Sequence, residues 1–179
     1  MNIREAYEES LHRDGHVEDS AQLDVITRFE DLQARLLAQR PRKGGLRTMF
    51  FRSEPREIVR GLYIWGGVGR GKTFLMDLFF ENLPIEQKRR IHFHRMMHDV
   101  HERMKTLSFV EDPLDKVAAS IAQDTRVLCF DEFFVSDIGD AMILGRLLEG
   151  LFSRGVTLVT TSNVRPDDLY KEGLQRQRF

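Results

Sequence analysis

Residues 66–73 read Gly66-Gly67-Val68-Gly69-Arg70-Gly71-Lys72-Thr73. The apolar run Leu62-Tyr63-Ile64-Trp65 precedes this octet and reads as a strand, and Phe74-Leu75-Met76-Asp77-Leu78-Phe79-Phe80 follows it and reads as a helix. Strand, glycine loop and helix in that order form the context that a phosphate-binding loop needs. Glycines let the backbone turn at positive φ, so that several amide N–H groups converge on one set of phosphate oxygens. The helix that follows points its partially positive N-terminus at the same anion. Lys72 can then reach the β- and γ-phosphates, and the Thr73 hydroxyl can bind Mg²⁺. By chance, the bare pattern arises in on the order of one random chain in a hundred or two of this length, and the flanking strand and helix make it rarer still. Gly66 through Thr73 are therefore expected to hold a nucleoside triphosphate.

At 179 residues the chain can build one α/β domain with a sizeable core, and is too short for two large ones. A formal charge of −1 argues against a dedicated nucleic-acid binder. The lone cysteine, Cys129, excludes an internal disulfide; set in an apolar strand pattern, it reads as a buried, inert thiol in a reducing compartment. No apolar run approaches the ~18 residues of a membrane span. The polar, acidic start, Met1 to Glu9, has neither the apolar centre of a secretory signal nor the Arg-rich character of a mitochondrial presequence. The cytoplasm is the expected location.

Residues 1 to about 40 read as helical, with Leu23, Ile26, Phe29, Leu32, Leu36 and Leu37 recurring on one face. Arg40-Pro41-Arg42-Lys43-Gly44-Gly45 breaks the pattern. The expected division is a helical N-terminal extension and connector over 1–45, and a nucleotide-binding core over 46–179. Arg40, Arg42, Lys43, Arg47 and Arg52 could touch phosphate, although a short basic run of this kind is more often simply solvated. From Gly61 onward strand-like runs (62–65, 90–94, 127–130, 156–160) alternate with helical ones (73–81, 97–107, 113–122, 138–152). Such alternation predicts an α/β fold, a parallel sheet with helices on both faces.

Val127-Leu128-Cys129-Phe130-Asp131-Glu132 is an apolar strand ending in two carboxylates. At the C-terminal edge of a parallel sheet such a tip faces the ligand crevice. Beside a phosphate loop, Asp131 would hold Mg²⁺ through its waters and Glu132 would act as general base toward the attacking water. Taken alone the two acids could be mere turn residues; the loop upstream favours the functional reading. His92 and His94 flank Phe93 in what reads as a strand, which would place both imidazoles on one face. With His98 and His101 nearby they suggest a metal cluster, but no cysteine or carboxylate completes a familiar ligand spacing. A structural role, or one relaying partner contact to the site, fits these residues better.

Together these segments resemble the ZapE-type, AFG-like ATPases of the AAA+ superfamily. The resemblance rests on the strand and loop from Gly61 to Thr73, on His92-Phe93-His94, and on the run from Leu128 to Ile138. Thr161-Ser162-Asn163, Pro166-Asp167-Asp168-Leu169-Tyr170 and the final Leu174 to Phe179 complete it, from Gly61 to the end. It implies a P-loop NTPase fold of the AAA+ (ASCE) type and Mg²⁺-dependent ATP hydrolysis. ATP is the nucleotide the resemblance implies, since no motif in the residues selects adenine over guanine. It further implies that the strand 156–160 lies between the phosphate-loop strand and the acidic strand, so that a polar residue at its tip sits between γ-phosphate and water. Asn163 suits that place because its amide both donates and accepts; Ser162 is the alternative, and turn formation before Arg165-Pro166 the plainer reading. Met96 and Met97 either follow the second strand into a client-facing pore loop or pack in the core.

Bacterial members of the family look like cell-division ATPases acting at the FtsZ ring, so a protein client is the expected partner. Mitochondrial members look like inner-membrane quality-control factors, which leaves peripheral membrane association open. Near-neutral charge and the lack of a helix-turn-helix signature argue against nucleic acid. Leu174-Gln175-Arg176-Gln177-Arg178-Phe179 resembles the Arg-Phe segment from which AAA+ proteins present an arginine to a neighbouring subunit. That implies a homo-oligomer, with Arg178 acting in trans and Arg176 as second choice; a solvated basic helix end is the plainer alternative. Family members continue through a fifth strand and a helical lid with a nucleotide-sensing arginine, so the resemblance implies a chain truncated before the lid, with its phosphate-loop strand at an open edge. Two other functions fit the same motifs: a nucleotide-gated binding module with little turnover, and a helicase-loader-like ATPase acting on DNA.

Overall fold

The structure, a computed structural model, describes residues 2–14, 17–39, 58–107, 109–171 and 173. The N-terminal segment forms two helices, α1 (Ile3–Asp14) and α2 (Ser20–Ala38). Asp19 opens α2, its carboxylate accepting from the Ala21 N–H at 2.8 Å, which satisfies one of the amides a helix start leaves without partners. Ile26, Phe29, Leu32 and Leu36 are buried at the expected spacing, whereas Leu37 lies off that stripe and is half exposed.

Four parallel strands follow: β1 (Leu62–Trp65), β2 (Lys88–His92), β3 (Val127–Asp131) and β4 (Thr157–Ser162). Their order in the sheet is β1-β4-β3-β2, which places β4 between the phosphate-loop strand and the acidic strand, as the family resemblance implies. In the described sheet β1 and β2 are the edges. Helices α3 (Lys72–Asn82), α4 (Phe93–Thr106), α5 (Pro113–Asp124) and α6 (Ile138–Ser153) connect and flank the strands. The fold is a P-loop NTPase of the AAA+ type.

Each face of the sheet carries its own apolar cluster, and β3 serves both. Val127 and Cys129 pack with α1, α2 and α3, where Tyr7, Ile26, Phe29, Leu75, Met76 and Phe79 are buried. Leu128 and Phe130 face the other way, onto α4, α5 and α6. Burial on both sides explains the uninterrupted apolar run in β3. It also pushes the Cys129 thiol up to about 12, in keeping with an inert buried cysteine. Packing is continuous between the N-terminal helices and the nucleotide-binding core: the rings of Phe29 on α2 and Phe79 on α3 stack at 4.5 Å.

One boundary differs from the sequence reading. The second strand runs over Lys88–His92 and α4 begins at once with Phe93, so His94 lies on a helix and not on the strand face of His92. The cause is the stripe Phe93, Met96, Met97 and Val100, all buried at helical spacing against the sheet. Met96 and Met97 are therefore core residues, and the pore-loop alternative for them is corrected.

Candidate nucleotide site

After β1 the Gly66 N–H donates to the Ser162 carbonyl at 3.2 Å, tying the start of the loop to the end of β4. Gly69 (φ 80°) and Gly71 (φ 76°) hold left-handed conformations, which side chains other than glycine resist. Gly71 is the N-cap of α3 and offers no side-chain cap, so the amides of the first turn are left to an incoming acceptor. The Lys72 ammonium donates to the carbonyl oxygens of Gly66 and Gly67 at 2.7 and 2.8 Å, which lays its side chain across the loop. Partial burial lowers its pKa. Thr73 stands exposed in the first turn of α3, and Gly67, Val68, Gly69 and Arg70 are exposed around the rim. A Cβ built on Gly67 or Gly69 would meet no protein atom within 4 Å, so the loop opens into free space.

The acidic tip lies at the same C-terminal edge of the sheet. Asp131 is two positions beyond Cys129 and so shares the α3 face. Its carboxylate is buried and accepts both arms of the Arg90 guanidinium, at 2.7 and 3.1 Å. Arg90, on β2, also donates to Asp77 of α3. Glu132 adopts φ 55°, a left-handed conformation that costs a residue with a side chain about 1 kcal/mol or more. Two bonds to Thr161 hold it there: the Glu132 N–H donates to the hydroxyl at 3.3 Å, and the Phe133 N–H to the carbonyl at 2.7 Å. The Glu132 side chain is 73% exposed, with His92 Nδ1 at 4.0 Å from its carboxylate.

The tip of β4 separates the two polar candidates there. Ser162 is buried; its hydroxyl donates to the Phe133 carbonyl at 2.6 Å and accepts from the Val164 N–H at 3.1 Å. That hydroxyl braces the turn. Asn163, the next residue, is exposed at the strand's end. Arg176, Arg178 and the basic connector residues Arg40 to Arg52 lie outside the described residues. The histidines disperse: His92 beside Glu132 and His94, and His101 at 2.8 Å from Asp140.

Sequence reasoning missed two neighbours of the site. Arg90 carried one signal, a charged residue at an inward strand position. Gln22 of α2 carried none: its amide donates to the Arg70 carbonyl at 3.4 Å and accepts from the Tyr7 hydroxyl at 3.1 Å, a contact 48 residues from the loop in sequence.

The donor set fits a nucleoside triphosphate with a hard divalent cation: open loop amides, one ammonium, one hydroxyl and two carboxylates. Comparison with known proteins gives the same direction. A family model described as AFG1-like ATPase matches residues 1–179. The chain belongs to the AFG1-like ATPase family. The match includes α1 and α2, which precede the motifs that carried the resemblance in sequence. Cell division protein ZapE of Escherichia coli (strain K12) is 49% identical over 182 aligned residues, 97% of this chain and 48% of that protein. Lactation elevated protein 1 homolog B of Danio rerio is 49% identical over 131 residues, 67% of this chain and 26% of that protein. The chain thus spans about half the length of the Escherichia coli AFG1-like relatives it matches. Among solved structures, DnaI is similar in fold, with a TM-score of 0.50 at 18% identity over 89% of this chain and 78% of that one.

Proposed function

We propose that this AFG1-like chain binds ATP with Mg²⁺ in the 66–73 loop and hydrolyses it. Gly66, Gly67, Val68, Gly69, Arg70 and Gly71 wrap the phosphates with backbone N–H groups, and Lys72 balances charge on the β- and γ-phosphates. Thr73 and Asp131 hold Mg²⁺, which when bound neutralises phosphate charge. Glu132 takes a proton from the attacking water, and Asn163 orients that water against the γ-phosphate. The observation that carries this reading is the position of β4: bonded to β1 on one side and β3 on the other, it brings the loop, Glu132 and Asn163 to one edge. Glu132→Gln should keep nucleotide binding and abolish phosphate release. Unchanged turnover in that variant would remove Glu132 from the mechanism; binding without turnover in the parent chain would favour the nucleotide-gated module.

The remaining parts of the reading rest on the relatives. The name of the Escherichia coli protein supports a division-related protein client, and we assign FtsZ or another component of the division ring to that role. No helix among the described residues is long and apolar enough to cross a membrane. Arg178 of a neighbouring copy supplies the cation for charge developing on the γ-phosphate, an effect worth ~10³-fold or more in rate where it operates. Arg178→Ala and Lys72→Ala chains should then regain partial turnover when mixed. Specific activity indifferent to mixing and to protein concentration would show a site complete within one chain.

A further inference from the structure

We infer that Arg90 is the positioning residue of the metal half of this site, fixing the Asp131 carboxylate on the Thr73 side of α3; the inference rests on the nucleotide reading above. Arg90 pairs with Cys129 across β2 and β3, and Cys129 faces α3, so Arg90 and Asp131 point to the same side of the sheet. On α3, Thr73 and Asp77 are four residues apart and therefore lie one above the other on one helix face. The Arg90 guanidinium joins the two elements. Two of its nitrogens bond both oxygens of Asp131, and the third reaches Asp77. A guanidinium presents its N–H groups in a rigid plane, so this fork fixes orientation as well as distance.

A guanidinium keeps its charge throughout the working pH range, so the bridge between Asp131 and Asp77 is cationic. With one lone pair on each oxygen given to Arg90, Asp131 keeps its outer lone pairs for the water shell of a cation. Partners that orient metal-site residues in this way govern metal affinity by about 10- to 100-fold when removed. A competing effect has the opposite sign. Arg90 is itself a positive charge beside the cation, and its loss leaves Asp77 and Asp131 as two uncompensated carboxylates that attract Mg²⁺. Arg90→Lys separates the two, since it keeps the charge and loses the fork.

The experiment measures binding of a fluorescent ATP analogue to the full chain, in EDTA and across a Mg²⁺ titration, for the parent, Arg90→Lys, Arg90→Met and Asp77→Asn. The expected result is a rise of about tenfold or more in half-saturating Mg²⁺ for both Arg90 variants, and a smaller rise for Asp77→Asn. Affinity in EDTA should stay within about twofold of the parent for Arg90→Lys, which keeps the charge, and should fall for Arg90→Met, whose Mg²⁺ dependence is read relative to its own EDTA value. Arg90→Lys matching the parent, or Arg90→Met binding Mg²⁺ more tightly, would show that charge alone matters and overturn the inference. Should Arg90→Met fail to fold, Arg90→Lys and the half-exposed Asp77→Asn still decide it. A parent that binds no nucleotide sinks the nucleotide reading and this inference together; a parent that binds while all variants keep its Mg²⁺ dependence sinks only the inference.

Discussion

Phe29→Ala should destabilise the nucleotide-binding core, although Phe29 lies in the second helix, before the phosphate loop begins. Its ring is fully buried and stacks on Phe79 of α3 at 4.5 Å, with the planes 16° apart. The same cluster holds Ile64 of β1, Cys129 of β3 and Val159 of β4. Truncating a buried phenylalanine costs about 3–5 kcal/mol, from lost burial and the cavity left behind. The stacked partner accounts for ~0.5–1.5 kcal/mol of interaction beyond area. Against a total stability of about 5–15 kcal/mol, that is a large share, equivalent to a fall in Tm of roughly 6–20 °C. Urea unfolding followed by two probes checks it. Trp65, the one tryptophan in the chain, ends β1 at the mouth of the loop and reports the core, while far-UV circular dichroism reports the helices. The shared cluster predicts one transition, with the Trp65 midpoint and the dichroism midpoint moving together. An unmoved Trp65 midpoint, with helix lost separately at lower urea, would refute continuous packing and make the first 45 residues an independent appendage.

At the end of β4, Asn163→Ala should lower turnover by about 10²-fold with stability within ~0.5 kcal/mol of the parent. Ser162→Ala should do the reverse, costing about 1–3 kcal/mol in urea unfolding by stranding the Phe133 carbonyl and Val164 N–H while nucleotide affinity is kept; exchanged phenotypes would reassign the two residues. Burial raises the Cys129 thiol from 9.0 to about 12 in the folded chain. A raised folded pKa means that the neutral thiol's contribution is complete below the unfolded value and fades as pH climbs toward the folded one. The parent should therefore lose about 1 kcal/mol more stability than Cys129→Ala between pH ~9 and ~10, and parallel profiles would show that the thiol ionises as easily folded as unfolded.

What could be read from the sequence was what is contiguous in it. The phosphate loop and the Asp131-Glu132 tip are short runs whose chemistry depends on immediate neighbours, and both sit where the sequence placed them, at the C-terminal edge of a parallel sheet. The boundary at His92 was ambiguous for a physical reason. His92-Phe93-His94 alternates like a strand, while Phe93, Met96, Met97 and Val100 recur like a helix, and the longer stripe decides because it buries more apolar surface. Seeing that Ser162 braces the turn while Asn163 is exposed required knowing that β4 runs two residues past the apolar stretch and delivers the Ser162 hydroxyl between two backbone groups. Arg90 and Gln22 reach the site from β2 and α2, and no local pattern encodes contacts across 41 or 48 residues.

Whether the 66–73 loop binds a nucleoside triphosphate through Lys72 is decided by calorimetric titration of the chain with a non-hydrolysable ATP analogue and Mg²⁺. One nucleotide should bind per chain, with an affinity weakened by about 10- to 100-fold in Lys72→Ala, the effect of losing a charged hydrogen-bond partner. No heat of binding in the parent, or equal affinity in the parent and Lys72→Ala, would contradict it.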